Sequence, residues 1–118
     1  MARFLWLVMT NPAEGREREF NRWYDREHVP DMLGIDTVVA VQRFEFVTGA
    51  GTAPPRHRYL AVYEVEADDP GETLAALNRA RTEPGRMRVS SSLDPDARLW
   101  FFRPLGPRVS CDGDAARP

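Results

Sequence analysis

The sequence predicts a single α+β domain with the element order β-α-β-β-α-β, a four-stranded antiparallel sheet and both helices on one face of that sheet. Two helix entrances of the same kind, Asn11-Pro12-X-Glu14 and Asp69-Pro70-X-Glu72, recur in the two halves of the chain. Apolar, β-prone segments precede and follow each entrance. The 118 residues suffice for one hydrophobic core. Together these observations indicate two similar halves that share one sheet.

The first half begins with the strand "RFLWLVMT" (3–10) and continues into an amphipathic helix. Asn11 is a suitable N-cap and Pro12 suits the first helical position, so the helix is expected to start near Pro12. Pro30 disfavours helical geometry at the residue before it. We therefore expect the helix to end at about His28, with residues 31–33 on the exit turn.

Two antiparallel strands follow, "DTVVAVQRFEFV" (36–47) at the end of the first half and "RHRYLAVYEVEA" (56–67) at the start of the second, joined by the flexible connection "TGAGTAPP". A second helix begins at Pro70 and stops before Pro84. The last strand is "ARLWFFRPL" (97–105), which completes one ferredoxin-like domain over residues 1–105. Residues 106–118 contain few apolar residues and are expected to be a flexible tail.

Both faces of the predicted sheet are apolar. The helices of this fold cover one face only, so the other face needs a second partner. We expect a second copy of the chain to bury it. The alternating apolar sets are Phe4/Trp6/Val8 and Leu5/Leu7/Met9, Tyr59/Ala61/Tyr63 and Leu60/Val62, and Leu99/Phe101 and Trp100/Phe102.

Composition excludes several classes of function. The net charge is −2 without runs of like charge, so neither nucleic acid nor a membrane surface is an expected partner. The N-terminal apolar run, residues 4–9, is too short to span a membrane and lacks the features of a signal peptide, so a cytoplasmic location is expected. Cys111 is the only cysteine and all 16 basic residues are arginine, which excludes disulfides and Schiff-base lysine chemistry.

The segment "EFNRWYDREHVPDML" (19–33) resembles the helix pattern of the dimeric α/β-barrel proteins, and within them the EthD-like group. "QRFEF" and "WFFRPLG" are similar to that group as well, and the resemblance spans residues 3–105. It implies two ferredoxin-like subunits packed sheet to sheet, with a small-molecule pocket in each subunit. The group includes cofactor-independent cyclases, isomerases, monooxygenases and haem-degrading enzymes beside proteins without assigned activity. By motif position, the histidine that lines the pocket in some of these enzymes is His28.

His28 is the leading catalytic candidate, because an imidazole moves protons near neutral pH without a cofactor. Asp31 would orient it if the turn folds back, and Tyr24 would steady a developing oxyanion from the same helix face. The alternative is that His28 caps the end of its helix. His57, next to the flexible connection, is expected at the edge of a mobile loop.

Six residues are candidates for substrate binding. Arg43 and Glu64 are polar residues in apolar strands, where a buried charge must be paired or functional. The others are aromatic side chains that would line or fill a cavity, although aromatic residues at helical spacing such as Trp23 are more often core. These aromatic candidates are Trp6, Trp23, Phe44 and Trp100. No spacing indicates a metal site, and no second feature favours haem, so no cofactor is expected.

The sequence thus predicts a homodimeric enzyme that acts on a small aromatic or polyketide-like molecule by cofactor-independent proton transfer, as a cyclase, isomerase or dehydratase. Two alternatives stay open at this point. One is a cofactor-free or haem-dependent monooxygenase. The other is a non-catalytic binding or accessory protein, in which side chains would fill the cavity and His28 would be packed or ion-paired.

Overall fold

The structure, a computed structural model, describes residues 1–111 and contains one antiparallel sheet in the order β2-β3-β1-β4. All four predicted strands are present, with ends shifted by a few residues. This order confirms the predicted ferredoxin-like topology. The strands are β1 (Ala2–Thr10), β2 (Val38–Glu45), β3 (Tyr59–Ala67) and β4 (Arg98–Phe102).

The helices lie between β1 and β2 and between β3 and β4. Residues 17–33 form one continuous helical stretch whose middle turn is π-helical, and the second helix starts at a proline as predicted. The stretch consists of α1 (Glu17–Trp23), the π segment (Tyr24–His28) and α2 (Val29–Leu33), and the second helix is α3 (Pro70–Thr82).

The predicted start of the first helix near Pro12 is wrong. Pro12 forms an antiparallel bridge with Leu93. Asn11 does not cap a helix: its side-chain amide donates to the Arg56 carbonyl (3.0 Å) and accepts from the Arg58 amide (2.8 Å). The Asn11 side chain therefore fixes the residues just before β3 instead of capping a helix. Helical geometry begins only at α1.

The predicted end of that helix at His28 is also wrong, because the chain stays helical through Pro30 to the end of α2. Pro30 has no N–H to donate, so a regular α-helical turn would lack one hydrogen bond here. Just before it the chain widens, and the Val29 amide bonds the Tyr24 carbonyl five residues back. His28 is consequently inside the helical stretch, where it cannot act as a C-terminal cap.

The covered face of the sheet, defined as the face under the helices, carries the hydrophobic core. Along β3 every second residue is buried on this face, while the alternate residues are only partly buried. From the helices, Phe20, Trp23, Tyr24, Met32 and Leu77 pack into the same core. Its strand residues include Trp6, Val8, Tyr59, Ala61, Tyr63 and Val65.

The open face, defined as the opposite face of the sheet, is apolar and uncovered in the single chain. Leu5, Phe44, Trp100 and Phe102 are each between 38% and 53% exposed there. The register places them on one face, since Leu5 lies opposite Phe102 and Phe44 opposite Leu60. Both faces are therefore apolar, as the alternation in the sequence predicts.

The prediction of a flexible tail over residues 106–118 stays a prediction, because residues 112–118 lie outside the described part of the chain. Residues 106–111 follow β4 without regular structure, and Cys111 is exposed. Within residues 1–111, no helix is long and apolar enough to cross a membrane.

Candidate functional site

His28 lies against two aromatic rings on the sheet-facing side of the helical stretch. Its ring stacks on Trp23, with centroids 4.8 Å apart and planes 25° apart. The Tyr24 ring meets it edge-on at the same centroid distance and an angle of 80°. The wide π turn brings these three residues together, so the helix irregularity at Pro30 has a direct effect on the site.

The imidazole of His28 has a buried nitrogen without a partner. Among the described residues, no hydrogen-bond donor or acceptor contacts Nδ1. Burial lowers the pKa of His28 to about 4, the nearby Asp31 carboxylate opposes this, and the positive charges of Arg81 and Arg43 lower the pKa further. His28 is therefore neutral at pH 7, and one nitrogen is unsatisfied.

Two cavities meet at His28. The larger, about 280 Å³, is mostly apolar and lies between the helical stretch and the segment 87–93, with Trp23, Met87 and Leu93 among its lining residues. The smaller, about 40 Å³, lies towards the sheet and is lined by residues that include Trp6 and Tyr63. His28 and Arg81 line both. The imidazole thus stands between an apolar pocket and a space large enough for one small polar group.

A wider depression of about 620 Å³ lies elsewhere, at the loops around Asn11 and Arg56. Its walls are charged and polar, with Glu14, Glu17, Arg18 and Asp94 among them, and it is open to solvent. His28 does not line it. Size alone would favour this depression, but the unsatisfied nitrogen and the apolar walls of small-molecule pockets favour the pair at His28.

Tyr24 presents its ring rather than its hydroxyl to the site. The Tyr24 and Tyr63 hydroxyls bond each other at 2.9 Å inside the core, and burial raises the pKa of both. The Arg43 guanidinium carbon lies 4.3 Å from the centroid of the Tyr24 ring. That guanidinium also donates to Asp25 and Asn21, at 2.8 Å each. Arg43 therefore lies beside the site with its charge already balanced.

Asp31 holds the wall of the larger cavity in place. Its carboxylate accepts from the guanidinium of Arg88 at 2.8 Å and from the Arg88 backbone amide at 2.8 Å. Burial acts to raise the pKa of Asp31, but the hydrogen bonds from Arg88 outweigh it and hold the pKa below its ordinary value. Trp23 donates its indole N–H to the Arg88 carbonyl at 3.1 Å. Asp31 thus contacts Arg88, and no hydrogen bond joins it to His28 among the described residues.

The six predicted substrate-binding residues fall on the two faces of the sheet. Trp6 and Trp23 line the cavities at His28, and Arg43 lies beside Tyr24. The other three lie on the open face, where the single chain has no contact between them and His28. These three are Phe44, Glu64 and Trp100.

Several residues of the site were not predicted from the sequence. Tyr63 contacts Tyr24, and its place on the covered face follows from the alternation along β3, so that signal was present. Met87 and Leu93 come from the segment between α3 and β4, which has no periodic pattern. The structure shows that this segment folds over the helical stretch, with hydrogen bonds from Arg88 to Asp31 and from Arg16 to Ser91.

The prediction that His57 lies at the edge of a mobile loop is wrong. His57 is 3% exposed, and its Nε2 lies 3.1 Å from the Asp96 carbonyl and 3.3 Å from a carboxylate oxygen of Asp96. The contact fastens the start of β3 to the start of β4. His57 is therefore a structural residue, remote from the cavities at His28.

No group of three or more His, Cys, Asp or Glu side chains that could hold a metal ion occurs in residues 1–111. Besides Trp6, the cavities have polar or charged lining residues, namely His28, Tyr63, Arg81, Arg88 and Ser90. Trp6, which lines the smaller cavity, also has a buried Nε1 without a partner in the described part of the chain.

Comparison with known proteins shows the fold. No protein-family model matches the chain, and no curated protein matches it. A protein from Shewanella loihica PV-4, provisionally described as a monooxygenase, superposes with a TM-score of 0.58 at 14% identity, over 89% of this chain and 96% of that one. An ethyl tert-butyl ether D (EthD) family protein from Bacillus halodurans C-125 has a TM-score of 0.50 at 11% identity, over 86% and 99%.

A third solved structure, from Jannaschia sp. CCS1, is described as a dimeric ferredoxin-like protein of unknown function. It superposes with a TM-score of 0.51 at 15% identity, over 86% of this chain and 99% of that one. The chain therefore has the ferredoxin-like fold of the proteins to which its sequence is similar. At these identities the likeness concerns the fold and leaves the reaction to be argued from the site.

Proposed function

We propose that the chain is a homodimeric, cofactor-independent enzyme that moves a proton on a small aromatic or polyketide-like molecule, with His28 as the base. The observation that carries this proposal is the buried, unpartnered Nδ1 of His28, where two cavities meet. An unsatisfied buried nitrogen is unfavourable by about 1–3 kcal/mol, so it calls for a water molecule or a ligand in the adjoining cavity.

The size and lining of the larger cavity support the substrate class. Pockets for small ligands have volumes from roughly 300 Å³ upwards and are lined mainly by apolar and aromatic side chains. The cavity of about 280 Å³ beside Trp23, Met87 and Leu93 is at the lower end of that range. A molecule of one or two rings, placed against the Trp23–His28 stack, matches it.

The state of His28 supports proton abstraction. A neutral imidazole is the form that accepts a proton from an acidic C–H or O–H group. Burial makes the resulting imidazolium unfavourable on its own, but an enolate or phenolate formed beside it would offset that penalty by direct ion pairing. Cyclisation, isomerisation and dehydration all begin with such a transfer. Tyr24 takes part through its ring, and Asp31 by holding the wall of the pocket.

The open face supports the homodimer. Its apolar residues form one continuous surface across all four strands, which soluble monomers rarely leave uncovered. A structurally similar protein is described as a dimer. In a sheet-to-sheet dimer, Phe44, Glu64 and Trp100 would lie in the interface, and their predicted contact with substrate would depend on it. The cytoplasmic location expected from the sequence belongs to the same proposal.

The alternatives differ in what they do to a bound molecule. A cofactor-free monooxygenase would consume dioxygen while it oxidises its substrate. A binding or accessory protein would retain a ligand unchanged. The accessory alternative also predicts a packed His28 and a cavity filled by Trp6, Phe44 and Trp100. His28 is packed against Trp23 and Tyr24, as that alternative expects, whereas the space beside His28 and the exposed positions of Phe44 and Trp100 disfavour it.

The test is native mass spectrometry of the purified protein, repeated on His28→Ala, with identification of any small molecule released. We expect a dimer that carries an aromatic metabolite, and we expect His28→Ala to lose it. His57→Gln serves as the control for loss of a histidine, and Trp23→Phe tests the stacking wall. The released molecule is then incubated with each variant while product and oxygen consumption are followed. Retention of the same molecule by His28→Ala would contradict the proposed site.

A further inference from the structure

We propose that the molecule bound at His28 carries an oxygen anion, a carboxylate or an ionised hydroxyl, held by the Arg81 guanidinium and by the indole N–H of Trp6. This inference rests on the proposed function and narrows its substrate class to small aromatic acids and acidic phenols or enols. The inference is based on two side chains that line the cavities, Arg81 and Trp6. Neither side chain has a hydrogen-bond or ion-pair partner among the described residues.

Arg81 is the unpaired cation of the site. Three arginines near the cavities are neutralised: Arg43 by Asp25, Arg86 by Glu83 and Arg88 by Asp31. The exposed side chain of Arg81 forms neither an ion pair nor a hydrogen bond with any residue of 1–111, and it lines both cavities together with His28. A guanidinium with five free donors beside an apolar pocket is suited to bind a carboxylate or a phenolate.

The indole N–H of Trp6 is a second donor at the smaller cavity. The side chain is 1% exposed, stacks on Phe101 at 5.2 Å and lines the smaller cavity. Its Nε1–H is a donor only, it is buried, and no acceptor lies within reach among the described residues. Because indole N–H groups are usually hydrogen-bonded when buried, the missing acceptor points to an external oxygen.

The sizes of the two cavities indicate which part of the ligand each cavity would hold. About 40 Å³ holds one water-sized group but no ring, whereas about 280 Å³ accommodates a ring. His28 and Arg81 line both. The ring would therefore occupy the larger cavity, with its oxygen directed past His28 towards Trp6 and Arg81. This arrangement puts the oxygen anion of the bound molecule next to a cation.

Arg79 provides a matched control for Arg81. It lies two residues earlier in α3, is exposed, and has no ion pair within residues 1–111. It lines a different pocket, next to Asp36 and Glu83, and not the cavities at His28. A general effect of positive charge at this end of α3 would be removed equally by Arg79→Gln and Arg81→Gln. Site-specific binding would be removed by Arg81→Gln alone.

The experiment compares benzoate with benzamide, which has a similar shape but no charge. Both are titrated into the full chain at constant ionic strength, and binding is followed by NMR of the His28 ring and the Trp6 indole N–H. We expect benzoate to bind about tenfold more tightly than benzamide and to move the Trp6 N–H signal downfield. Arg81→Gln should abolish the preference, Arg79→Gln should keep it, and Trp6→Phe should weaken benzoate binding about fivefold.

The outcomes separate the two proposals. Equal binding of benzoate and benzamide, or equal losses in Arg79→Gln and Arg81→Gln, overturns the anion inference and leaves the pocket of the proposed function intact. If the Trp6 N–H signal does not move in the benzoate complex, Trp6 does not bind the anion. This result can be read from the wild-type protein alone. If neither compound perturbs the His28 ring, both the inference and the proposed site are overturned.

Discussion

The two faces of the sheet are built from the same strands but have different roles. On the covered face, Tyr59, Ala61, Tyr63 and Val65 are buried under helices, and polar atoms of Tyr63 and Arg43 lie among them. On the open face, the alternate positions of the same strand are partly buried: Leu60 and Val62 are apolar, and Glu64 and Glu66 pair with Arg3. The covered face encloses the two cavities at His28, whereas the open face carries mainly half-buried or half-exposed apolar side chains beside a few charged ones such as Glu64. The difference separates residues that form the proposed site from residues that form the proposed dimer.

The comparison predicts the largest effect for Trp6→Ala on the covered face. Trp6 is almost completely buried, and its removal leaves a hole beside Tyr63 and Phe101. We expect the free energy of unfolding to fall by about 4 kcal/mol. Trp100→Ala, on the open face of the neighbouring strand, is the matched control. In urea denaturation at low protein concentration, Trp100→Ala should lower the free energy of unfolding much less than Trp6→Ala. Similar decreases in the two variants would contradict the assignment of faces.

The second prediction concerns pH and the covered face. The pKa of His28 is lowered to about 4 in the folded chain, below the 6.5 of an unperturbed histidine. Between these values the unfolded chain binds more protons, so stability falls as the pH drops from 6.5 towards 4. We expect a loss of about 2 kcal/mol between about pH 7 and about pH 4.5 that His28→Gln lacks, because glutamine does not titrate.

Denaturation of both proteins at about pH 7 and about pH 4.5 measures that difference. Carboxylates titrate in the same range, and their contribution cancels when the wild type is compared with the variant. Parallel pH dependence in the two proteins would show that His28 is solvated and would remove it from the covered face.

The third prediction places a charge on the open face. Trp100→Asp should weaken dimerisation by about a hundredfold or more, because an unpaired carboxylate would be buried at the centre of an apolar interface. Leu105→Asp is the control, since Leu105 is 98% exposed and lies beyond β4. Light scattering at micromolar concentration distinguishes dimer from monomer. A wild-type monomer, or a dimeric Trp100→Asp, would break the proposed role of this face.

The smallest effect is expected for Asp31→Asn, which removes a charge from the wall of the cavity and leaves the sheet unchanged. The variant loses its ion pair with Arg88 but keeps a hydrogen-bond acceptor. We expect unfolding to become easier by about 1 kcal/mol and amide exchange in residues 86–93 to speed up. Glu83→Gln removes the comparable exposed pair with Arg86 and serves as the control. Unchanged exchange in that segment would show that Asp31 does not hold it.

The strands and their order could be predicted from the sequence because alternation records burial directly. Each residue of β3 reports its own face, and the turn signals that bound the strands are local. Both ends of the first helix were misplaced for the same physical reason. Asn11 has the chemistry of an N-cap but bonds β3, and Pro30 has the chemistry of a terminator but follows a π turn that accommodates it. Long-range partners outweighed the local signals.

The site was predictable only where helical spacing determines it. Trp23, Tyr24 and His28 share one face of the helix, and the structure brings their rings together. Asp31 and Arg88 are far apart in sequence, so their pairing was not readable from spacing. The assignment of Trp6 to the covered face and Trp100 to the open face required the strand register. Alternation does not determine that register when all residues of both strands are apolar.

The most direct test of this account is an NMR titration of the His28 ring. The chain has two histidines, so His57→Gln assigns the signals. The account predicts that the ring of His28 stays neutral from pH 8 to pH 5 and titrates with a pKa of about 4, because the covered face excludes water from it. A midpoint near the 6.5 of a solvated imidazole would contradict a buried base between two cavities, and with it the proposed site.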